Sequence, residues 1–277
     1  MSIHTKQKLF PEEEKMPCAK YYYDYPMRDL SPLEWQIINS GPCKVEDAIR
    51  PENFMSLLKP TGYDKVEIGY CMFEDGSGYV ATYRVAPPNV TPEMLRWYSS
   101  WMNIHSKGMV LGHGNLRYKL WNPADHFDHH YVNWVDGSDG IYTTESLDLG
   151  EGERQYDTIR HQYPLKDFGM TDEWMKELTD AGCKVRANGS WESFDHPGAH
   201  LCLAYERPCP SGGIECRSRE WIGWRPKDGK LIREPRTECS VEYLRKVVIH
   251  TLLEWHHLYD FLPDLYAEYK DKPFEED

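Results

Sequence analysis

Two segments of the chain carry the side chains best suited to chemistry. In the predicted C-terminal helix, His250 and Glu254 are four residues apart, so they share a helix face and can bind one metal ion together. Upstream, residues 125–130 have the sequence DHFDHH, with three histidines and two aspartates in six positions. Such a segment can supply a metal ligand or a general acid or base, or it can simply form the solvated tip of a loop.

Spacing alone does not make the helix pair a metal site. A histidine followed four residues later by an acid arises by chance in a chain with 12 histidines and 45 acidic residues, and His256 and Asp260 repeat the pattern. The pair His250 and Glu254 is informative because it lies in an otherwise apolar row, where unpaired carboxylates are rarely buried. A metal site and a hydrogen-bonded core pair are both open interpretations at this point.

The two segments complement each other as ligand sources. Neither fills a catalytic zinc shell by itself, but His126, His250 and Glu254 together give three protein ligands. A fourth ligand, a carboxylate, would have to come from a strand that lines the same pocket.

The elements that must position these side chains are those of an α+β domain. Thr91, Thr171 and Ser240 are predicted helix caps, and Ser240 begins the longest helix, over about 241–261, which is expected to end before Pro263. Alternating patterns predict a hairpin and six further strands, at 65–73, 79–85, 116–121, 140–149, 155–163, 183–192, 200–207 and 213–224. We therefore expect a mostly antiparallel sheet with a long C-terminal helix, in one domain over residues 21–265. Residues 1–20 are predicted to be a flexible tail, and 266–277 a charged one.

Composition excludes several classes of function. The net charge of −13 disfavours nucleic acid and anionic membranes as partners, and the sequence predicts neither a secretory leader nor a membrane-spanning segment. Eight cysteines without a C-x-x-C motif indicate reduced thiols in a cytoplasmic protein. The 10 Trp, 19 Tyr and 8 Phe suit either an aromatic core or the walls of a ligand cavity.

Five motifs then give the chain a family likeness: YYYDYP (21–26), GYCMFEDGSGYVATYR (69–84), TPEMLRWYSSW (91–101), LRYKLWNPADH (116–126) and GGIECRSREWIGW (212–224). Together with the late His250 and Glu254, and in matching order over residues 20–262, they resemble the diacetylphloroglucinol hydrolase/phloretin hydrolase family.

The resemblance implies a fold and an activity. The expected fold is a helix-grip (START-like) fold, in which a curved antiparallel sheet surrounds a long C-terminal helix, with extra N-terminal helices. The expected activity is zinc-dependent hydrolysis of the carbon–carbon bond between a polyphenol ring and an acyl group, in a small aromatic ketone. One zinc ion per chain and a homodimer are implied as well.

The resemblance also assigns metal ligands. The family's histidine after the Trp-x-Pro turn falls on His126, and its helix pair falls on His250 and Glu254. Its fourth ligand, a strand glutamate, is best matched by Glu145, which lies within the predicted strand 140–149. Asp157, on the next predicted strand, is the competing choice.

Three further residues are candidates for catalysis by the same resemblance. Tyr118, eight residues before the metal histidine, matches the substrate-facing tyrosine, and His200 or His129 would transfer the proton. A half-buried strand tyrosine and a strand histidine bonded to the backbone are the structural alternatives for Tyr118 and His200.

The chain also departs from the family pattern. Met102 and Asn122 replace expected histidines, and the usual RSRFW motif is RSREW here, with Glu220. These departures favour hydrolase chemistry on an altered substrate. The alternative function is a metal-free helix-grip protein that binds aromatic or polyketide ligands, in which chelation would leave ligand binding unchanged.

Overall fold

The structure is a computed structural model of the 277-residue chain. It describes residues 4–103, 114–133, 139–150, 156–190, 199–227, 230–235, 237 and 239–274.

The described residues form six α-helices, four 3₁₀ helices and ten strands. The helices are α1 (Ala19–Asp24), α2 (Pro32–Asn39), α3 (Pro92–Trp101), α4 (Leu116–Lys119), α5 (Asp172–Asp180) and α6 (Val241–Tyr269), with 3₁₀ helices at Glu13–Lys15, Val45–Asp47, Pro51–Leu57 and Leu165–Phe168. The strands are β1 (Gly69–Met72), β2 (Gly78–Ala86), β3 (His126–Asn133), β4 (Asp139–Glu145), β5 (Tyr156–Gln162), β6 (Lys184–Ser190), β7 (His200–Pro208), β8 (Ile214–Ile222), β9 (Trp224–Lys227) and β10 (Lys230–Arg233).

The chain divides into two compact units. The first comprises Met1–Asp29, Pro87–Ile159 and His250–Asp277, and the second comprises Leu30–Ala86 and Arg160–Ile249. Because both units are assembled from separate stretches of chain, neither corresponds to a continuous sequence domain, and the single domain over 21–265 stays a prediction.

The second unit is built on an antiparallel sheet. Neighbouring strands pair in the order β1-β2-β8-β7-β6-β5. One face of this sheet packs on an aromatic core that includes Phe54, Phe168 and Trp221. The indole of Trp221 is fully buried, and its Nε1 donates to the carbonyl of Ile49 at 2.9 Å, which satisfies the polar atom that burial would otherwise isolate.

A buried ion network lies on that same face of β8. The Arg217 guanidinium is completely buried and donates to Asp64 at 2.5 Å, to Glu67 at 2.6 Å and 3.0 Å, and to the carbonyl of Leu57 at 3.0 Å. Arg219 adds a 2.9 Å bond to Glu67. Burial raises the pKa of the Glu67 carboxyl, but the two guanidinium groups lower it by more, so the pKa lies below its usual value.

In the first unit, aromatic rings pack α3 against α6 from His250 onward. Trp97 and Trp101, one turn apart on α3, stack with ring centroids 5.4 Å apart, and the Tyr98 ring meets Phe261 of α6 edge-on at 5.9 Å. In the same unit, β3 pairs antiparallel with β4. The α+β class, the antiparallel sheet and the long C-terminal helix predicted from the sequence are confirmed.

The predicted helix caps are confirmed as well. The Thr91 hydroxyl accepts from the amide of Met94 at 3.2 Å, and the Thr171 side chain likewise caps α5. The Ser240 hydroxyl accepts from the amide of Tyr243 at the start of α6. Each cap satisfies a backbone donor that the first helical turn leaves open.

Two predicted elements differ from the structure, and one of the alternatives for the histidine-rich segment is excluded. Residues 116–121 were expected to form a strand but instead contain α4, because the Asn115 side chain accepts from the amide of Tyr118 and caps a helical turn. The histidine-rich segment is buried strand β3 rather than a loop tip. Helix α6 continues through Pro263 to Tyr269, where the fully buried Leu262 and Leu265 offset the hydrogen bond that proline cannot donate.

The chain ends are also more ordered than the predicted tails. The N-terminal segment contains the 3₁₀ helix Glu13–Lys15, and Lys119 Nζ lies 2.7 Å from Glu13 Oε2 with both side chains buried. At the other end, α6 takes in residues 266–269 of the predicted charged tail. Each of the eight cysteines is a free thiol, as predicted. No helix in the described part of the chain combines the length and apolarity that a bilayer crossing requires.

Candidate metal centre

Strand β3 begins with a predicted ligand and an irregular register. His126 is the cross-strand partner of Glu145 on β4, and a bulge follows, because Asp128 is already the partner of Thr144. Cross-strand partners project to the same side of a sheet, so His126 and Glu145 point to one face.

Helix α6 brings its own pair to this histidine. The Nε2 atoms of His126 and His250 lie 3.4 Å apart, and the Glu254 Oε2 lies 3.3 Å from the first and 3.6 Å from the second. All three residues are buried, and their ligand atoms form a group that could hold a metal ion.

The spacing of these three atoms suits a tetrahedral ion. Ligand atoms placed 2.0–2.1 Å from zinc at the corners of a tetrahedron lie about 3.3 Å from one another. The three measured separations run from 3.3 to 3.6 Å. The residues therefore fit a metal ion of this size without rearrangement.

Hydrogen bonds at the far side of each imidazole select the tautomer that a metal ligand needs. His126 Nδ1 lies 3.2 Å from the carbonyl oxygen of Tyr118, and His250 Nδ1 lies 3.1 Å from the Asp125 carboxylate. Both acceptors require a proton on Nδ1, which leaves the Nε2 lone pairs directed at the cluster. The Asn122 side-chain nitrogen lies 3.3 Å from the same His250 Nδ1, but the carboxylate is closer and is the stronger partner. This pattern of outer partners is typical of metal-binding histidines.

The electrostatics of the cluster favour a cation. Burial lowers the pKa of His250, but the hydrogen bond that its Nδ1–H donates to Asp125 and the charges of Glu254 and Glu145 outweigh this effect and raise the pKa to about 9. Three carboxylates thus surround one buried imidazole. A bound divalent ion would supply the positive charge that this arrangement stabilises.

Glu145 borders the cluster and also contacts Tyr118. One carboxylate oxygen, Oε2, lies 3.9 Å from His250 Nε2, and the other accepts a hydrogen bond from the Tyr118 hydroxyl. The Tyr118 ring stacks on His126, with centroids 3.9 Å apart and planes 6° from parallel. Glu145 is therefore within reach of a fourth ligand position, while the side chain of the competing Asp157 lies outside the described residues.

The bulge also decides where His129 points. With the register shifted by one, His129 is the partner of Thr143, two residues before Glu145, so it shares the face of His126. Its ring contacts Tyr118, with centroids 4.6 Å apart. The rings of His126 and His129 thus both contact Tyr118.

His200 belongs to the other compact unit. It begins β7, and its Nε2 lies 2.5 Å from the Glu220 carboxylate on β8. The alternative in which His200 is a strand histidine bonded to the backbone is therefore not supported, because its hydrogen-bond partner is the Glu220 side chain.

The roles of Asp125 and Asn122 at this site were not predicted from the sequence. The Asn122 side-chain oxygen accepts from the amides of Ala124 and Asp125, which forms the tight turn that directs the fully buried Asp125 toward His250. An Asn-Pro pair is a recognised turn signal, so the turn itself could have been predicted. The contact between Asp125 and a helix residue 125 positions later could not have been predicted.

Asp125→Asn is expected to weaken divalent metal binding by about 10- to 100-fold, because a weaker acceptor no longer holds the His250 tautomer. The measurement is a competition titration against a chromophoric zinc chelator. Asp128→Asn is the matched control, since Asp128 is a buried carboxylate three residues away that pairs with His130 instead. An unchanged affinity in Asp125→Asn would contradict the role assigned to this carboxylate.

Comparison with known proteins supplies the family context. The family model described as the DAPG hydrolase PhiG domain matches residues 49–267. The chain is 26% identical to phloretin hydrolase from Eubacterium ramulus, over 96% of this chain and 95% of that protein. It is 27% identical to 2,4-diacetylphloroglucinol hydrolase from a Pseudomonas species, over 95% and 93%. Among solved structures, it is similar to the major latex-like protein 151 of Panax ginseng, with a TM-score of 0.34 and 10% identity, over 66% of this chain and 99% of that one.

Proposed function

The chain belongs to the family of the DAPG hydrolase PhiG domain, and on that premise we propose that it is a zinc-dependent hydrolase of acylated polyphenols. The bond cleaved is the carbon–carbon bond between a polyphenol ring and an acyl group, in an aryl ketone such as phloretin or an acylphloroglucinol. The observation that carries the proposal is the buried group of His126, His250 and Glu254, whose imidazoles are both oriented by outer hydrogen bonds.

The reaction sets three requirements. Water must add to the ketone carbonyl, the bond from that carbon to the ring must break, and the ring carbon must take up a proton. The products are a carboxylic acid and the deacylated polyphenol, so water supplies both the hydroxyl and the proton. Ring hydroxyls make the ring carbon an acceptable leaving group, because protonation or tautomerisation to a keto form can precede cleavage.

Four residues are proposed to hold the ion. His126, His250 and Glu254 supply three ligand atoms, and Glu145 supplies the fourth. A zinc ion bound there would polarise a carbonyl and lower the pKa of water from 15.7 toward about 7.

The remaining chemistry is assigned to side chains around the cluster. The Tyr118 hydroxyl would donate a hydrogen bond to the ketone oxygen or to a phenol oxygen of the substrate. This bond would replace the one that the hydroxyl donates to Glu145 in the structure. His129, whose ring lies against Tyr118, and His200 are the candidates to transfer the proton to the ring carbon. A positioned acid or base of this kind typically contributes about 10²- to 10⁴-fold in rate.

Tyr118→Phe is expected to lower kcat/KM for an aryl ketone by about 100-fold, because one donor to the reacting oxygen is lost. Zinc content should stay at one per chain, since the ring that stacks on His126 is retained. Steady-state assays and metal analysis of the same preparation measure both quantities. Tyr98→Phe is the control: it removes another buried hydroxyl of the first unit, one that donates to the carbonyl of Arg117. Full activity in Tyr118→Phe would contradict its role.

The proposal as a whole is tested by metal analysis combined with turnover. We expect about one zinc per chain and release of a carboxylic acid from phloretin-like or diacylphloroglucinol-like ketones. Removal of zinc by a chelator should stop product formation, and added zinc should restore it. Ligand binding that persists unchanged after chelation, without any product, would favour the metal-free binding protein instead.

The homodimer rests on the family resemblance alone and is tested by light scattering of the purified chain. The cytoplasmic location and the absence of nucleic-acid and membrane partners stay predictions from composition.

A further inference from the structure

The N-terminal segment contacts the turn that directs Asp125 toward His250. The amide nitrogen of Gln7 donates to the carbonyl of Pro123 at 2.8 Å, and its side-chain Nε2 donates to the carbonyl of Ala124 at 2.5 Å. The N-terminal segment, the turn and His250 all belong to the first compact unit. One residue that is distant in the sequence therefore binds two consecutive carbonyls of this turn.

The same two peptide groups are held at their other ends by Asn122. Its side-chain oxygen accepts from the amides of Ala124 and Asp125, each at 3.2 Å. A peptide group is planar, so its carbonyl and its amide rotate together. Because Gln7 binds the carbonyl ends and Asn122 binds the amide ends, the two residues together fix the orientation of both peptide planes.

The second of these peptides determines where the Asp125 side chain points, because it leads directly to the Asp125 Cα. The Asp125 Oδ2 lies 3.1 Å from His250 Nδ1, and Oδ1 accepts from the amide of Gly150 at 3.3 Å. The Asp125 carbonyl accepts from the amide of Ser146 at 2.7 Å. Since Ala124 and Asp125 are fully buried, a carbonyl of the turn that loses its donor can reach water only if the backbone moves.

Tyr22 on α1 holds Gln7 in place. Its hydroxyl donates to the carbonyl of Gln7 and lies 3.1 Å from the carbonyl of Pro123, and the residue is buried. The neighbouring Tyr21 hydroxyl lies at α6 instead, where it donates to Glu268 at 2.8 Å. Two adjacent residues thus carry hydroxyls of the same kind, one at the turn and one at the helix.

We propose that Gln7 is a positioning residue for the metal centre, which holds the two peptide groups before Asp125 so that this carboxylate stays bound to His250 Nδ1. The inference rests on the proposed function, because His250 is a ligand of the proposed zinc site. Gln7 acts on that ligand through Asp125. Its loss should therefore change the affinity for zinc and the hydrogen bond between Asp125 and His250.

The first test is zinc affinity, measured by competition with a chromophoric chelator. Gln7→Met keeps the length of the side chain but removes the donor to Ala124, so it should weaken zinc binding by about threefold to tenfold. Tyr22→Phe should weaken binding by about twofold to fivefold, and it decides the question should Gln7→Met fail to fold. Tyr21→Phe, the matched control, should bind zinc as tightly as the unaltered protein.

A double-mutant cycle separates positioning from a general loss of stability. In Asp125→Asn the bond that Gln7 supports is already weakened, so the addition of Gln7→Met should change zinc affinity by less than about twofold. If the two losses multiply in full, Gln7 acts independently of Asp125 and the proposal is wrong. An unchanged affinity in Gln7→Met, or in Tyr22→Phe where Gln7→Met does not fold, contradicts it as well.

A ¹H NMR spectrum of the full-length protein, as purified, distinguishes failure of this inference from failure of the proposed function. The proton that His250 Nδ1 donates to Asp125 should give a downfield imidazole signal, assigned by its loss in His250→Gln. This signal should move upfield in Gln7→Met and keep its position in Tyr21→Phe. If the unaltered protein binds no zinc, the proposed function fails, and the signal still decides whether Gln7 positions Asp125. A signal that is absent from the unaltered protein, or unmoved in Gln7→Met, overturns the inference.

Discussion

His250→Ala is expected to abolish hydrolysis of aryl ketones and to leave the purified protein with less than one zinc per chain. The substitution removes one of three clustered ligand atoms, and it leaves the buried Asp125 without its imidazole partner. Electrostatic stabilisation by a metal ion is worth several kcal/mol, so a rate loss on the order of 10³-fold or more is expected. Turnover assays and metal analysis of the same sample test both parts.

His256→Ala is the control for this experiment. His256 lies on the same helix, six residues further along, and is only partly buried, so its loss should leave zinc content and kcat near those of the unaltered protein. The thermal unfolding midpoint of each variant shows whether the fold is kept. Stoichiometric zinc together with undiminished turnover in His250→Ala would remove the basis of the proposed metal site.

Arg217→Met is expected to lower the free energy of unfolding by about 3–5 kcal/mol, the largest effect on stability that we predict. Methionine fills part of the space but supplies no donor, so Glu67 and Asp64 lose a buried cationic partner. Urea unfolding monitored by tryptophan fluorescence measures the change. Lys176→Met, which breaks the exposed ion pair with Asp180 on α5, should change the free energy of unfolding by less than about 1 kcal/mol.

The effect of Arg217→Met should depend on pH. Because the folded-state pKa of Glu67 lies below its unfolded value, the ionised carboxylate contributes stability above the unfolded pKa, and this contribution is lost as the pH falls through the folded pKa. The difference between the unaltered protein and Arg217→Met should therefore shrink as the solution is acidified below the ordinary pKa of glutamate. A difference that stays constant from neutral to acidic pH would show that packing, not the ion network, accounts for the loss.

The sequence predicted those parts of the fold that local chemistry determines. Thr91, Thr171 and Ser240 cap helices where their hydroxyls and the following first-turn residues indicate. The α4 turn and the continuation of α6 past Pro263 were missed for different reasons. The α4 turn depends on the cap residue Asn115, which precedes an alternating pattern typical of strands. The continuation of α6 depends on the tertiary burial of Leu262 and Leu265, which intrinsic helix propensity does not include.

The candidate site was predictable to a similar degree. Residue type and spacing selected His250 and Glu254 and offered His126 as a third ligand, and the family resemblance then assigned all three to one metal site across more than a hundred residues. Asp125 acts on His250 through space, so no periodicity or motif in the sequence signals it. The partner of His200 was likewise hidden, because a change at one position of a motif shows that a contact differs but not which contact replaces it.

The bulge that follows His126 makes the site depend on a count of residues as well as on their identity. Since Phe127 is the extra residue on β3, its deletion would restore an even alternation and leave His126 and His129 two paired positions apart, on the same face. An insertion of one further paired residue between them would instead turn His129 to the opposite face. No catalytic or metal-binding side chain would have changed in either case, so the number of paired residues decides whether the two histidines meet.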